Sequence, residues 1–595
     1  MREILGIVIF WISTIGYVFI LKDKTKLTKE LLLPMTFTLI GISMFISGIL
    51  NLMKEISIVI CLVGVLLTLY YGLKKKKFNQ IFLNIKNRKI NINIFLVICL
   101  LIYISIIGTH MHLLHYDNFS HWGLIVKNMF LSDALPNFQN TALEFLDYQP
   151  GSACFIYYIG FLAGKSEGTM IVAQNYLIIT YFLSILIFVK DNTKKSNIIR
   201  FLILSVLLFT MFVNVRFNDL LVDTLIAVMS IYSIVLLYYF KDNLKRAYIY
   251  TLPISIYLFL VKNTGIVLVG INCLILFILG YKNKNIKKGF VYAILTGIIT
   301  LAFFYIWSKH VTYVYGNYAL SAKHSMSAHN IVGSLREKGM ENILNFCLIY
   351  IKHFVDILHN IPNKYIIGIN ILYIILIILY KQKSKIIFKY LLFSDIIYLG
   401  YYIILGLMYL LSMPWEEAKI LASFDRYMLT IICVIIGILL ICIINIICEE
   451  KKSKLKTYAY LMGIIVLVNF LTFNYYVDDI KLLWGDLDYK NSNAYKYDTI
   501  LKNNMYNSND DDFYYIYTPN TQNDSGYMYY LTRYKLNTYK FELFYNINDI
   551  NNLLKQNENK NYQEKIILFV EDNELINYIE KNNFKKSINE IYIKN

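Results

Sequence analysis

Tyr427–Cys448 reads YMLTIICVIIGILLICIINIIC, an unbroken apolar run without a charged side chain. An α-helix rises about 1.5 Å per residue, so about 20 apolar residues cover the hydrocarbon core of a bilayer. Irregular backbone does not cross that core, because each unpaired amide would cost several kcal/mol. The run therefore reads as a membrane-spanning helix. Leu31–Met53 (LLLPMTFTLIGISMFISGILNLM) and Asn93–Leu114 read the same way. Applied along the chain, the rule predicts spans at 4–20, 31–53, 56–73, 93–114, 168–189, 201–215, 220–240, 247–261, 265–281, 290–307, 364–380, 390–411, 427–448 and 457–473, about fourteen in all.

Composition agrees with this class. Of 595 residues, 57% are hydrophobic and 16% are charged, and the mean hydropathy is +0.49. Soluble proteins carry about a quarter charged residues. The net charge of +18 suggests nucleic acid only until its placement is considered. Lysines sit in clusters between apolar blocks, as at Lys74–Lys77 and at Lys282, Lys284, Lys287 and Lys288. The connections 21–30, 74–92, 190–200, 241–246, 282–289, 381–389 and 449–456 are basic and alternate with connections poor in Lys and Arg. The positive-inside rule assigns the basic set to the cytoplasm and both termini to the outside.

Within this plan, residues 1–92 form extra N-terminal spans and 93–473 a transmembrane core. The core carries outward loops at 115–167, 308–364 and 412–427, and 474–595 forms an extracytoplasmic tail. Gly151–Gly164 is apolar but too short to span. Counting it as a span would move Lys190, Lys194 and Lys195 outside, so it reads as a helix at the interface or entering part way. The first apolar block, from Leu5, lacks an A-x-A-like cleavage site and reads as a retained helix. The eight cysteines are scattered without metal-ligand spacing and read as apolar fillers. In the tail, 513–517 and 566–570 look like strands and 549–555 and 574–582 like helices, which makes a small α/β domain.

Acidic residues are rare in the apolar part, so each one at a span end needs a reason. Asp117 follows the fourth span in His115-Tyr116-Asp117-Asn118, ahead of an amphipathic stretch, Phe119–Phe130. It reads either as a helix N-cap or as a functional carboxylate at the membrane surface. Leu146-Asp147-Tyr148-Gln149-Pro150-Gly151 is a turn before the short apolar stretch. Arg216-Phe217-Asn218-Asp219 joins two spans, and Asp219 and Asp223 have the i, i+4 spacing of one helical face. Asp219 alone fits an N-cap, whereas Asp223 points into the bundle or a wet cavity. Lys262, in Lys262-Asn263-Thr264-Gly265, suits either a phosphate or a snorkelling role. Arg426-Tyr427 opens the span quoted above, where Arg fits planar phosphate recognition or an interfacial belt. Lys323, His324, Arg336 and Lys338 add cations in the second outward loop. His110, His112, His115 and His121 surround Asp117, and a zinc site there would need tetrahedral geometry that this spacing does not specify.

Together these features resemble the C-type (GT-C) integral membrane glycosyltransferase superfamily, which includes protein O-mannosyltransferases and the bacterial lipid A aminoarabinose transferases. The resemblance covers roughly 93–448 and rests on three short motifs. Asp117 and Tyr148-Gln149-Pro150, with Phe155–Tyr158 after them, stand where the family has an acidic residue early in the first large outward loop and a Y-x-P start to the next apolar segment. Asn218-Asp219 matches a polar hairpin with an Asp at a span start, and Arg426-Tyr427 matches a late RY. The family's doubled acid is here Asp117-Asn118, and its double proline is Pro150 alone.

The resemblance implies a GT-C-like core and sugar transfer from a polyprenyl-phosphate donor, with inversion, to a cell-envelope acceptor (glycan, lipid or protein) at the outer face of the cytoplasmic membrane. Asp117 is then the general base. Arg426, Lys262, Lys323 and His324 hold the donor phosphate, and Tyr148, Asp219, Asp223 and Tyr427 support the substrate. Some family members use a divalent metal, for which Asp219 and Asp223 are the candidates. No cofactor is otherwise implied. The rival classes are a flippase or transporter for lipid-linked saccharides, a membrane polymerase or ligase, and a sensor whose tail is the working part. Transporters often show inverted repeats and Gly/Pro-broken spans, and neither is evident here.

Overall fold

The computed structural model describes residues 2–87, 91–137, 143–212, 216–316, 328–356, 359–449, 489–501, 512–557, 562–588 and 591–594. In chain order the helices are α1 (Arg2–Lys24), α2 (Lys29–Ile49), α3 (Met53–Leu69), α4 (Lys77–Lys86), α5 (Ile92–Gly108), α6 (Gly123–Ser132), α7 (Gly151–Ala163), α8 (Glu167–Leu183) and α9 (Lys194–Phe212). There follow α10 (Asp223–Tyr239), α11 (Leu244–Val261), α12 (Gly265–Lys282), α13 (Ile286–Tyr315), α14 (Ala328–Val355), α15 (Ile361–Leu379), α16 (Ser384–Leu411), the single turn α17 (Trp415–Ala418) and α18 (Phe424–Glu449).

Among the described residues, eleven helices are long and apolar enough to cross a membrane. The chain is a polytopic α-helical membrane protein. The helices α5 and α10, of 17 residues each, are shorter but stand where spans at 93–114 and 220–240 were predicted. The predicted span at 457–473 lies outside the described residues.

The helix α7 is too short to span, as predicted, and of the two expected placements its enclosure fits a helix that enters the bundle part way. It is enclosed by α1, α2, α8 and α11, and Cys154–Ile159 are all buried. A helix that is apolar all round has no face to offer to water, so it is driven inside. Phe155 packs on Phe10 and Phe37, and the Tyr257 hydroxyl donates to the Gly151 carbonyl at 3.0 Å. The expected outward loop 308–364 is also largely helical. The helix α13 continues to Tyr315, and α14 fills 328–355 with a break at Gly339, whose φ of 67° only glycine adopts without strain.

The described basic connections, among them 21–30, 190–200, 241–246 and 282–289, lie at one end of the bundle. There Arg200 Nε donates to Asn93 Oδ1 (2.8 Å), Asn283 Nδ2 to the Lys241 carbonyl (2.8 Å), and the Lys26 amide to the Tyr250 hydroxyl (3.0 Å). The opposite end gathers 109–137, 143–150, 216–222, 262–264 and 412–423, and it carries the site described below.

Close packing of α1 on α3 depends on Gly16 and Gly64. A Cβ on Gly16 would run into the Gly64 carbonyl oxygen. Small residues at such crossings let membrane helices approach and gain dispersion contacts. Gly16→Leu is therefore expected to destabilise the bundle by about 1–3 kcal/mol, seen as a lowered melting temperature in detergent. An unchanged melting temperature would contradict this contact.

The tail is a small α/β unit. It comprises α19 (Asn493–Leu501), β1 (Asp512–Tyr517), α20 (Tyr527–Leu536), β2 (Phe541–Phe544), α21 (Ile547–Asn557), β3 (Gln563–Leu568), α22 (Asn573–Lys581), β4 (Phe584–Ile588) and β5 (Ile591–Lys594). The sheet order is β2-β1-β3-β5-β4. The central strand β1 pairs in parallel with β2 and β3, while β5 runs antiparallel to β3 and β4. Parallel neighbours need crossovers, which α20 and α21 supply. All six residues of β1 are buried, as expected for a strand covered on both faces. The predicted strand at 566–570 begins three residues earlier, at Gln563.

Candidate active site

At the end of the bundle opposite the basic connections lies a cavity of about 460 Å³. Its polar part is built from Asp117, Asp223, Lys262 and Arg426, drawn from four separate places in the chain. Arg426 sits in the first turn of α18 and Asp223 is the first residue of α10. Lys262 follows directly on α11, and Asp117 precedes a wide helical turn, Asn118–Trp122.

These four groups form one ionic cluster. Arg426 Nη1 donates to Asp117 Oδ2 at 2.5 Å, and Arg426 Nε lies 3.8 Å from Asp223 Oδ2. Lys262 Nζ donates to Asp223 Oδ1 at 2.6 Å. Both cations also sit over the Tyr427 ring, at 5.0 Å for Lys262 and 5.5 Å for Arg426. Among the described residues, Arg426 Nε has no hydrogen-bond acceptor although it is buried. A donor held in place without a partner is suited to an incoming anion.

The N-cap explanation of Asp117 does not hold, because its side chain makes no capping hydrogen bond to the turn that follows. Burial works against ionisation of this carboxyl, but nearby positive charge, near pH 7 that of the Arg426 guanidinium, outweighs it and holds its pKa below the ordinary range. Burial pushes the His121 imidazole down to about 3, so the ring is neutral near pH 7 and the guanidinium carries the local positive charge. Ser120 Oγ lies 2.6 Å from His121 Nδ1, which leaves Nε2 as the ring nitrogen available to a ligand. Trp122, Phe145 and Tyr148 surround this imidazole at 5.0, 4.8 and 5.0 Å between ring centroids.

Tyr148 lines the cavity, and the neighbouring Gln149 side chain donates to Asn263, tying the first outward loop to the α11–α12 turn. Asp219 is near but not on the wall. Residues 216–222 are not helical, so Asp219 and Asp223 do not share a helical face. Asn118 Nδ2 donates to Asp219 Oδ1 (3.0 Å), while Asn118 Oδ1 accepts from the Leu220 amide (2.9 Å). Burial raises the Asp219 carboxyl above its ordinary pKa. Asp219 thus holds the hairpin that aims Asp223.

Lys323 and His324 lie outside the described residues. Lys338 is not in the cavity. Its Nζ donates to the Tyr409 and Leu410 carbonyls at 3.0 and 2.7 Å, closing the C-terminal end of α16. The four histidines take separate places. His112 stacks on Tyr489 at 3.6 Å, His115 Nδ1 accepts from the Asp117 amide, and only His121 lines the cavity. Among the described residues, no three His, Cys, Asp or Glu side chains are grouped to hold a metal ion.

The other side of the cavity is apolar. Ile266 and Val267 on α12 face it, as do Ile404, Leu407, Met408 and Leu411 on α16. Ile404 and Leu407 are also exposed. The cavity therefore joins an ionic end to an apolar side between two helices. Sequence reasoning did not find this apolar side, because nothing in α12 or α16 alone marks which stripe lines a cavity.

It also did not find Tyr530, which reaches the cavity from the tail domain. The tail is docked on the bundle by buried charges. Lys535 Nζ lies between Glu167 Oε1 (3.1 Å) and Asp498 Oδ1 (2.8 Å), with Lys535 and Glu167 side chains only 1% and 2% exposed. Lys127 Nζ donates to the Tyr534 and Lys535 carbonyls at 2.6 and 3.1 Å, and Arg533 pairs with Glu144. Burial pushes the Lys127 amine down to about 7, with Lys535 nearby adding to the shift. Against that desolvation, Glu167 and Asp498 raise Lys535 above its ordinary pKa.

No protein-family model, no curated protein and no solved structure matches this chain.

Proposed function

We propose that the chain is a glycosyltransferase that moves a sugar from a polyprenyl-phosphate donor to a cell-envelope acceptor. The observation that carries this reading is the joining of an ionic end (Asp117, Asp223, Lys262, Arg426) to an apolar side between α12 and α16 in one cavity. A lipid phosphate has the same two-part chemistry. Its phosphate meets Arg426 and Lys262, and its chain lies along Leu407, Met408 and Leu411 toward the bilayer. The aromatic group of Tyr148, Trp122 and Tyr427 suits a sugar ring at the junction.

In this reading the acceptor hydroxyl attacks the anomeric carbon from the face opposite the phosphate. The new bond forms between acceptor oxygen and C1, and the C1–O bond to phosphate breaks with its electron pair leaving on phosphate. Asp117 takes the acceptor proton. Arg426 stabilises the departing phosphate, the largest electrostatic contribution available in such a site. Arg426 pairs with Asp117, which weakens Asp117 as a base. A bound phosphate competes for that guanidinium and restores the basicity. The donor therefore prepares the base before the acceptor hydroxyl reacts. The basic connections lie at the opposite end, so the positive-inside rule supports an extracytoplasmic site on the cytoplasmic membrane.

The test is transfer by the purified chain in lipid, with polyprenyl-phosphate sugars labelled in the sugar. Label should leave the donor only with wild type present. Donor that crosses the bilayer of proteoliposomes unconsumed would put the transporter reading first. Arg426→Gln is expected to weaken polyprenyl-phosphate binding about tenfold or more, since a hydrogen bond to a charged group contributes about 1.5–3 kcal/mol. Unchanged affinity in that variant would remove Arg426 from the phosphate site.

A further inference from the structure

We propose that the tail domain is a working wall of the cavity, in which Tyr530, beside Tyr116, holds a ring of a water-borne saccharide acceptor. This rests on the glycosyl-transfer reading for the word acceptor, but the contact itself is argued from geometry. Tyr527, Tyr530 and Tyr534 follow the i, i+3, i+7 spacing of one helical face on α20, and that face looks onto the bundle. Their surroundings differ. Tyr534 is fully buried against Phe119, with ring centroids 5.2 Å apart, and Tyr527 packs on Phe119 at 5.8 Å and donates to the Leu114 carbonyl. Those two rings anchor the helix. Tyr530 is only half-buried, lines the cavity, and lies 6.1 Å from the Tyr116 ring. Tyr116 is itself exposed and directly precedes Asp117.

The anchoring of α20 is more specific than packing alone requires. Its first turn is held by Asp524, which accepts from the Gly526 and Met528 amides at 3.0 and 2.9 Å. Its last turn is held by Lys127, Lys535 and Arg533 through the buried ionic contacts described above. Burying charges costs desolvation that apolar residues would avoid, and a known return is a single fixed orientation. Here the orientation fixed is that of the Tyr530 ring, on the same helix as Lys535.

The ligand class follows from the sides of the cavity. The lipid chain takes the α12–α16 side and the phosphate takes Arg426 and Lys262. The remaining approach runs past the tail domain and Tyr116, from water. Two tilted aromatic rings there, at 42° to each other, match the apolar C–H face and polar rim of a pyranose. The ring planes then set which sugar faces reach Asp117, which makes Tyr530 a specificity-determining residue.

The experiment measures equilibrium binding of tritiated oligosaccharides of two to four pyranose units to the full chain in lipid nanodiscs. Wild type should bind at least one of the panel. Tyr530→Ala should weaken that binding tenfold or more, and Tyr530→Phe and Tyr530→Trp should stay within about threefold of wild type. Should the Ala variant lose its melting transition, Tyr530→Leu, which keeps the packing volume without the ring, takes its place. Saccharide binding unchanged in the variant without the ring, or absent in wild type, overturns the proposal. Polyprenyl monophosphate binding to wild type is read in parallel. Its absence would remove the donor reading while leaving a Tyr530-dependent saccharide contact standing.

Discussion

Asp117→Asn is expected to reduce sugar transfer about 10²- to 10⁴-fold, the usual contribution of a positioned general base. The substitution keeps the shape of the side chain and one acceptor oxygen for Arg426, and it removes the negative charge that accepts the proton. Because Asp117 is held below the ordinary carboxylate range, the wild-type binding step should show no acid limb from this group above about pH 4, the usual carboxylate value. Once phosphate draws Arg426 away, its pKa rises, so a limb should appear at higher pH in turnover of the donor complex than in the free protein. The measurement is transfer of label from polyprenyl-phosphate sugar across pH for wild type and Asp117→Asn, with donor affinity measured alongside. Full activity in the variant would remove Asp117 as the base. Loss of donor affinity in place of turnover would assign Asp117 to holding Arg426.

Lys535→Met should undock the tail domain. The residue pairs with Glu167 and Asp498 at once, and its removal leaves two carboxyl groups facing each other away from water without that cation. Breaking a buried ion pair by removing one partner costs about 3–5 kcal/mol, which is about a 10²- to 10⁴-fold change in the docking equilibrium. Amide hydrogen exchange in α20 and in the Asn118–Trp122 turn should rise together, because the two elements protect each other. The combined variant Lys535→Met, Glu167→Gln and Asp498→Asn should recover much of the protection, since removing all the charges also removes the penalty. Exchange unchanged in Lys535→Met would mean that the remaining contacts, those of Lys127, Arg533, Tyr527 and Tyr534, hold the domain without Lys535.

Much of the membrane architecture is legible in single stretches. A run such as Tyr427–Cys448 has one stable conformation in a bilayer, because only a helix satisfies its amides there. Lysine clusters mark one set of connections for a similarly local reason. The helix α7 was only half legible. Its length excluded a span, but whether it lies on the surface or inside depends on α1, α2, α8 and α11 leaving room for it. The segment 308–364 looked like a loop because its charges interrupt the apolar pattern, and in α14 those charges flank the break at Gly339.

For the site, the sequence by itself determined which ionisable residues stand at span ends, and Asp117, Asp223, Lys262 and Arg426 were named on that ground. Membrane burial makes an ion costly, so its presence is informative before any fold is known. Only the tertiary structure decided that these four share one cavity, since 309 positions separate Asp117 from Arg426. It also decided that Asp219 supports a hairpin and that Lys338 closes a helix end. Tyr530 belongs wholly to the tertiary level. An aromatic residue on a tail helix carries no local mark of function, and it joins the cavity only because buried charges 127, 167, 498 and 535 bring two distant parts of the chain into one register.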